Sequence, residues 1–221
     1  YNHLAATALM ALRRGQPQFG EFCAVAGLGV VGQLTAMLYE LAGSYTIGWD
    51  MIPMRLEVAK GWGITSTVQV GSDDAVAATK AFTGGYGLDG AVIAFGGNAD
   101  KALEQLTSCM KLSPDGHHWG AIVVVGGATY TVPSNTTNID IRRSSRTGPG
   151  YHDEGWEYGP AYPPVFMRWT TRTNLELCLR LISEGKLNVD CLTTHTVPLE
   201  QATSAVDDMM QGPDSILGVV F

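Results

Sequence analysis

The chain is short of charge, and most of what it has is of one sign. Only 16% of its 221 residues are charged, 14 basic against 21 acidic, for a formal net charge of −7. No basic stripe offsets that balance, so a polyphosphate backbone would be repelled and nucleic acid is excluded as a partner. Long apolar runs are missing too. Stretches such as AIVVV at 121–125 are strand-length and far below a bilayer span, so no membrane association is expected. Cysteine is scarce, and Cys23, Cys109, Cys178 and Cys191 form neither a CxxC pair nor a metal-ligand spacing. Each falls in an apolar strand or helix pattern, and together they read as reduced core residues of a cytoplasmic protein. There is no basic-apolar-small leader. The chain opens instead at YNHLAATALMALRRG, already a helical pattern with an RRG stop, and so reads as the middle of a longer protein.

What the chain has in excess is glycine, 27 residues of 221. That is well above the roughly 7% of ordinary proteins and points to tight turns and close backbone approaches. With 45% hydrophobic residues and a mean hydropathy of +0.06, the chain is neither disordered nor membrane-embedded.

The pattern along the chain alternates. FCAVAG at 22–27 is a continuous apolar run, as a strand buried on both faces should be, and VVGQLTAMLYELAG after it has helical periodicity. YTIGWD at 45–50 is a second strand, followed by a helix with Pro53 in its first turn. TSTVQV at 65–70 is a third strand, followed by SDDAVAATKAF, a helix with a Ser cap and acids in its first turn. DGAVIAFGG is a fourth strand, NADKALEQLTSCMKL a fourth helix, and WGAIVVVGG a fifth strand. Such alternation demands a parallel sheet, and the fold class is α/β, a doubly wound Rossmann-type sheet with helices on both faces and a C-terminal α/β extension. TNIDIRR at 137–143 is a candidate sixth strand. Residues 144–170 have no period and are dense in Gly, Pro and aromatics, which reads as a long ordered loop. TRTNLELCLRLISEG then resumes as a helix, CLTTHTV as a strand, PLEQATSAVDDMMQG as a helix with Pro198 in its first turn, and SILGVVF as a last strand.

Chemistry concentrates in AVAGLGVVG at 24–32. Gly27 permits a sharp exit from the strand, Gly29 has no Cβ to block a pyrophosphate, and Gly32 lets the helix pack close to the sheet. The intervening Leu28, Val30 and Val31 complete a turn whose amide groups would face phosphates. Alone, such a motif is equally compatible with a packing turn. Here it follows a strand and opens a helix, and an acid, Asp50, ends the second strand about 20 residues on. A carboxylate there accepts ribose hydroxyls and repels a 2′-phosphate, so NAD is favoured over NADP. Arg55 could partly neutralise Asp50 or sit over the adenine, and Asp50 also reads as a plain solvated turn residue. The strand ends AFGG (with Phe95 and Gly96) and VVGG (with Val125 and Gly126) are flat enough to line a dinucleotide cleft, or are simply glycine-terminated strands.

On these residues the sequence resembles the medium-chain (zinc-type alcohol) dehydrogenases. The resemblance is carried by ALMALRRGQPQFGE, AVAGLGVVGQ, the Trp49, Asp50, Arg55 and Ala59 arrangement, DGAVIAFGG and GAIVVVGG. The tail, with RTGPGYHDEGWEYG, VFMRWTTRTN, EGKLNV and LTTHTVPLEQATSAV, is similar to the dehydrogenase half of bacterial two-domain oxidoreductases. GWGIT at 61–65 departs from the family's usual Gly-Ala. The resemblance implies residues 1–20 as a linking helix, 21–147 as an NAD-binding Rossmann domain and 148–221 as an irregular loop with a C-terminal extension. It also implies a small alcohol or carbonyl substrate and a homodimer formed through sheet edges. The GroES-like catalytic lobe that carries zinc ligands in zinc-dependent members is not in this sequence, so no zinc is expected on this chain.

No catalytic group stands out. His195, between a strand and Pro198, is the candidate base, though that setting also suits a structural hydrogen-bonder. His117 and His118 lie in a turn without further ligands nearby. Tyr151, His152, Asp153, Tyr158 and Arg168 could line the substrate end of the cleft or merely cover the sheet. Two rival readings stay open: a methyltransferase using S-adenosylmethionine, against which Gly32 and the VVGG strand end count, and a non-catalytic NAD-binding or dimerising module.

Overall fold

The computed structural model describes residues 1–134, 138–158 and 163–221. The expected first residue of the sixth strand, Thr137, and positions 159–162 of the irregular stretch lie outside the described residues. Six strands form one parallel sheet: β1 (Phe22–Ala26), β2 (Tyr45–Asp50), β3 (Ser66–Gln69), β4 (Gly90–Ile93), β5 (Trp119–Val125) and β6 (Asn138–Ser144). Their spatial order is β3-β2-β1-β4-β5-β6, so the direction of winding reverses between β1 and β4. A crevice opens at such a reversal, beyond the carboxyl ends of the strands.

Helices cover both faces. On one, Ala11 of α1 (Asn2–Gly15), Ala36 and Tyr39 of α2 (Val30–Leu41), and Leu56 and Ala59 of α3 (Pro53–Trp62) pack on Val25, Val92 and Val123. On the other, Ala75 of α4 (Ala75–Phe82) and Leu103 and Leu106 of α5 (Asp100–Cys109) pack on Ala24, Ile47, Ile93 and Ile122. The strands are apolar without alternation because both faces are dry. Beyond the first face lies a further layer. Cys178 of α7 (Thr171–Ser183), with Leu187 and Leu192, joins Ala5, Leu9, Leu34 and Met37 in a third cluster.

Three local expectations are corrected. The cap of α4 is Asp74 and not Ser72: its Oδ1 accepts from the amides of Val76 and Ala77 at 3.1 and 3.0 Å. Asp73 is drawn away to the Gln69 amide, 2.9 Å off. Pro198 precedes a short 3-10 turn, Leu199–Gln201, and the helix proper, α8 (Ala202–Gln211), starts after it. Among its described residues, the 144–170 stretch holds one helical turn, α6 (Glu154–Glu157). The C-terminal extension ends in a separate parallel pair, β7 (Thr193–Thr196) and β8 (Gly218–Val220). Among the described residues, no helix is long and apolar enough to cross a membrane.

Candidate functional site

The three glycines of the β1–α2 turn stand in different surroundings. Gly27 has φ +90°, and a Cβ there would press on Phe95 at 3.1 Å and on the Ala94 carbonyl carbon at 3.2 Å. A Cβ on Gly32 would overlap the Gly27 carbonyl oxygen itself, so the first turn of α2 can lie on the strand exit only if residue 32 has no side chain. Gly29 is the reverse case. A Cβ there would meet nothing within 4 Å, and it is the N-cap of α2 with no side chain capping the helix. The start of α2 therefore has no side-chain cap, and the space beside it at Gly29 is open.

Asp50 closes the neighbouring strand. Only 7% exposed, its Oδ2 accepts from the Leu28 amide at 2.6 Å and its Oδ1 from the Ile52 amide at 2.8 Å. One carboxylate thus ties the glycine turn to the β2–α3 turn, and Asp50 is not the solvated turn residue that its position allowed. The Arg55 guanidinium stands 3.6 Å from Oδ2, and its Nε is buried without a partner among the described residues. A residue that sequence reasoning passed over holds this corner. Gln33, fully buried in α2, donates to the Arg55 carbonyl oxygen and accepts from the Trp62 indole N–H, both at 2.7 Å. The signal for it was a polar side chain inside an otherwise apolar helix face.

Phe95 and Gly96 follow β4 beside Gly27, because Ala26 pairs with Ile93. Val125 ends β5 one strand further out, with the exposed Gly126 after it. The loops behind them are laced together: Ala99 donates to the Thr129 carbonyl oxygen at 2.8 Å, and the Thr131 amide to Asp100 Oδ1 at 2.6 Å. Of the turn's apolar residues, Leu28 departs from its expected role. Its side chain is fully buried under Gly48, in the core, and only its amide faces Asp50. Val30 and Val31 are half-buried and pack towards the outer layer.

The other candidates lie elsewhere. His195 is on β7, outside the six-stranded sheet, beside a hollow of about 410 Å³ shared with Ser204 and Asp208. Its Nδ1 pairs with the Thr194 hydroxyl at 2.9 Å, and that hydroxyl also donates to the Gly218 carbonyl oxygen and accepts from the Leu217 amide. The two bonds of the Thr194 hydroxyl pin β7 to β8, and His195 contacts that hydroxyl from the same strand. His118 Nδ1 bonds the Met110 carbonyl oxygen at 2.9 Å and His117 is exposed. Described parts of the irregular stretch lie along α1. Tyr151 approaches His3 at 5.7 Å between ring centroids, and Trp169 receives the guanidinium groups of Arg13 at 3.7 Å and Arg168 at 4.6 Å. Burial lowers the pKa of Arg13 to about 10, with Arg168 pushing the same way. Cys23, Cys109 and Cys178 are buried free thiols and Cys191 is half-buried; burial raises Cys23 to about 12 and Cys109 and Cys178 to about 11. Among the described residues, no three His, Cys, Asp or Glu side chains converge on a point that could hold a metal.

No protein-family model matches the chain. It is 30% identical to alcohol dehydrogenase 1 of Pisum sativum over 204 residues, covering 89% of this chain and 47% of that protein. The chain belongs to the medium-chain dehydrogenase family. Within that family it is also 25% identical to the erythritol/L-threitol dehydrogenase of Mycolicibacterium smegmatis, over 95% of this chain and 51% of that one. A protein from Escherichia coli CFT073 described as a short chain alcohol dehydrogenase, solved in complex with NADH, superposes with a TM-score of 0.70 at 18% identity, covering 99% of this chain and 57% of its own. The chain spans about half the length of the curated relatives it matches and has the architecture of a cofactor-binding domain.

Proposed function

We propose that the chain is the NAD(H)-binding portion of an alcohol or polyol oxidoreductase. The observation that carries this is the contrast among the three glycines: residues 27 and 32 are closed in by the protein, whereas the space at Gly29 is empty and faces an uncapped helix start. A pyrophosphate placed there would accept from the first amides of α2 and lie at the positive end of its dipole. Asp50 supports the adenosine end. Each of its oxygens already accepts one backbone amide and keeps capacity for a ribose hydroxyl, and its charge disfavours the 2′-phosphate of NADP. Arg55 would flank the adenosine, and Phe95, Gly96, Val125 and Gly126 would receive the nicotinamide half; that an Escherichia coli neighbour was solved with NADH is in keeping with a nicotinamide cofactor.

The cofactor, when bound, supplies hydride transfer to or from a carbon of the substrate. This chain's residues would bind and orient it. A small alcohol or carbonyl compound is the proposed substrate class, in keeping with the relatives' names. The groups acting on its oxygen, zinc included where the parent uses it, belong to a further lobe. We take residues 21–147 as the nucleotide-binding unit, 1–20 as its linking helix and 148–221 as an extension, in a cytoplasmic homodimer joined at the open edge of β6.

The test is calorimetric titration with NAD, NADP and S-adenosylmethionine, on the native chain and on Gly29→Val. NAD should bind more tightly than NADP, and the valine should abolish binding while leaving thermal unfolding in place. Binding of S-adenosylmethionine in preference, or undiminished NAD binding by the variant, would overturn the reading.

A further inference from the structure

At the opposite end of the sheet, where the parallel strands begin, lies an open groove of about 570 Å³ that the nucleotide reading leaves unused. Its floor is the start of β5 and β6, beside the C-terminal end of α1 at Gly15. Trp119 and Asn138 are register partners there, and Asp140 lies two residues further along the same face. Partners in neighbouring strands stand about 4.8 Å apart and residues i and i+2 about 6.6 Å, so aromatic, carboxamide and carboxylate groups share a patch the size of one sugar ring.

Four of the charged wall groups cancel in pairs, and Glu21, whose Oε2 accepts from the Gln18 amide at 2.7 Å, leaves one net negative charge. Lys111 Nζ lies 2.7 Å from Asp89 Oδ1, and Asp89 Oδ2 accepts from the Phe22 amide at 2.9 Å. Arg142 Nη2 lies 2.7 Å from Asp140 Oδ2, while its Nη1 donates to the Arg14 carbonyl oxygen at 2.8 Å. Such a lining disfavours anions and holds only one unpaired carboxylate with which to attract a cation. It does offer many acceptors and donors in fixed positions, beside an indole that is 49% exposed. An aromatic plane next to planar carboxylate, carboxamide and guanidinium groups matches a ligand that is apolar on one face and hydroxylated around its rim. The volume falls within the roughly 300–1,000 Å³ typical of small-molecule sites.

We propose that this groove binds a neutral polyhydroxylated molecule, an aldose or an alditol, at a position separate from the nucleotide crevice. Trp119 provides the stacking plane, and Asn138 and Asp140 read the hydroxyls.

Saturation-transfer NMR on the whole chain, titrated with D-glucose, D-galactose, sorbitol and erythritol, tests this. A saturable signal from at least one is expected, retained in excess NAD and in Gly29→Val, and weakened about tenfold by Trp119→Ala. Trp119→Phe should retain most of it, since the plane survives, and Asp140→Asn should lose part. Matching melting curves for these surface variants would exclude unfolding as the cause. Absence of a saturable signal from all four probes overturns the proposal. So does a signal that NAD displaces, or one that Trp119→Ala leaves intact.

Discussion

Helices α2 and α8 are of similar length, 12 and 10 residues, and both carry apolar side chains at helical spacing. In α2 every residue from Gly32 to Tyr39 is buried. In α8 none is; Val206 is 47% exposed and Met210 78%. The difference does not lie in periodicity. It lies in what the chain brings to each face: α2 is wedged between the sheet and the layer of α1 and α7, whereas the outer face of α8 meets nothing among the described residues. An apolar period says where a helix turns its face, and only the rest of the fold says whether that face is covered.

The contrast can be broken or sharpened by experiment. The largest effect belongs to Gly32→Ala, where the methyl group would occupy the Gly27 carbonyl oxygen; a loss of about 3 kcal/mol in urea unfolding is expected, and a variant as stable as the native chain would sink the steric account. Gln33→Leu comes next. It would leave the Trp62 N–H without its acceptor and remove a second bond to the Arg55 carbonyl oxygen, at a cost of about 2 kcal/mol by the same measurement. On α8, by contrast, Val206→Ser and Met210→Ser should each change stability by no more than about 0.5 kcal/mol; a larger loss would mean that the outer face is covered in solution. The smallest perturbation is chemical labelling. Thiol-specific reagents at neutral pH should reach Cys191, in the extension, well before Cys23, whose burial keeps its thiol protonated up to about pH 12. Equal labelling rates would contradict the difference in packing between the two regions.

Most of the sheet could be read in advance. The run YTIGWD coincides with β2 to the residue, because a short run set between Gly43 and Pro53, with a helical pattern on either side, has few other places to go. The β1–α2 turn and Asp50 were legible for the same reason: spacing along a strand, turn and helix unit is local. What could not be read was set by contacts between residues far apart in the chain. Nothing in the stretch after residue 144 announces that Trp169 will receive Arg13, or that Asn174 will accept from Arg13 Nε at 2.9 Å. Leu28 looked like a site residue by its place in the motif, and only the absence of a side chain on Gly48 draws it into the core. The cap of α4 was misread because two aspartates and a serine compete within one turn, and backbone direction selects Asp74.

The two hydrogen bonds to Asp50 have a dynamic consequence. Because Leu28 and Ile52 donate to oxygens of one carboxylate, neither amide can open to solvent without loosening the same anchor. Their hydrogen exchange should therefore be slow and correlated, although they belong to different turns. A nucleotide drawing on that carboxylate would find two loops already held in step, with less backbone motion left to arrest on binding.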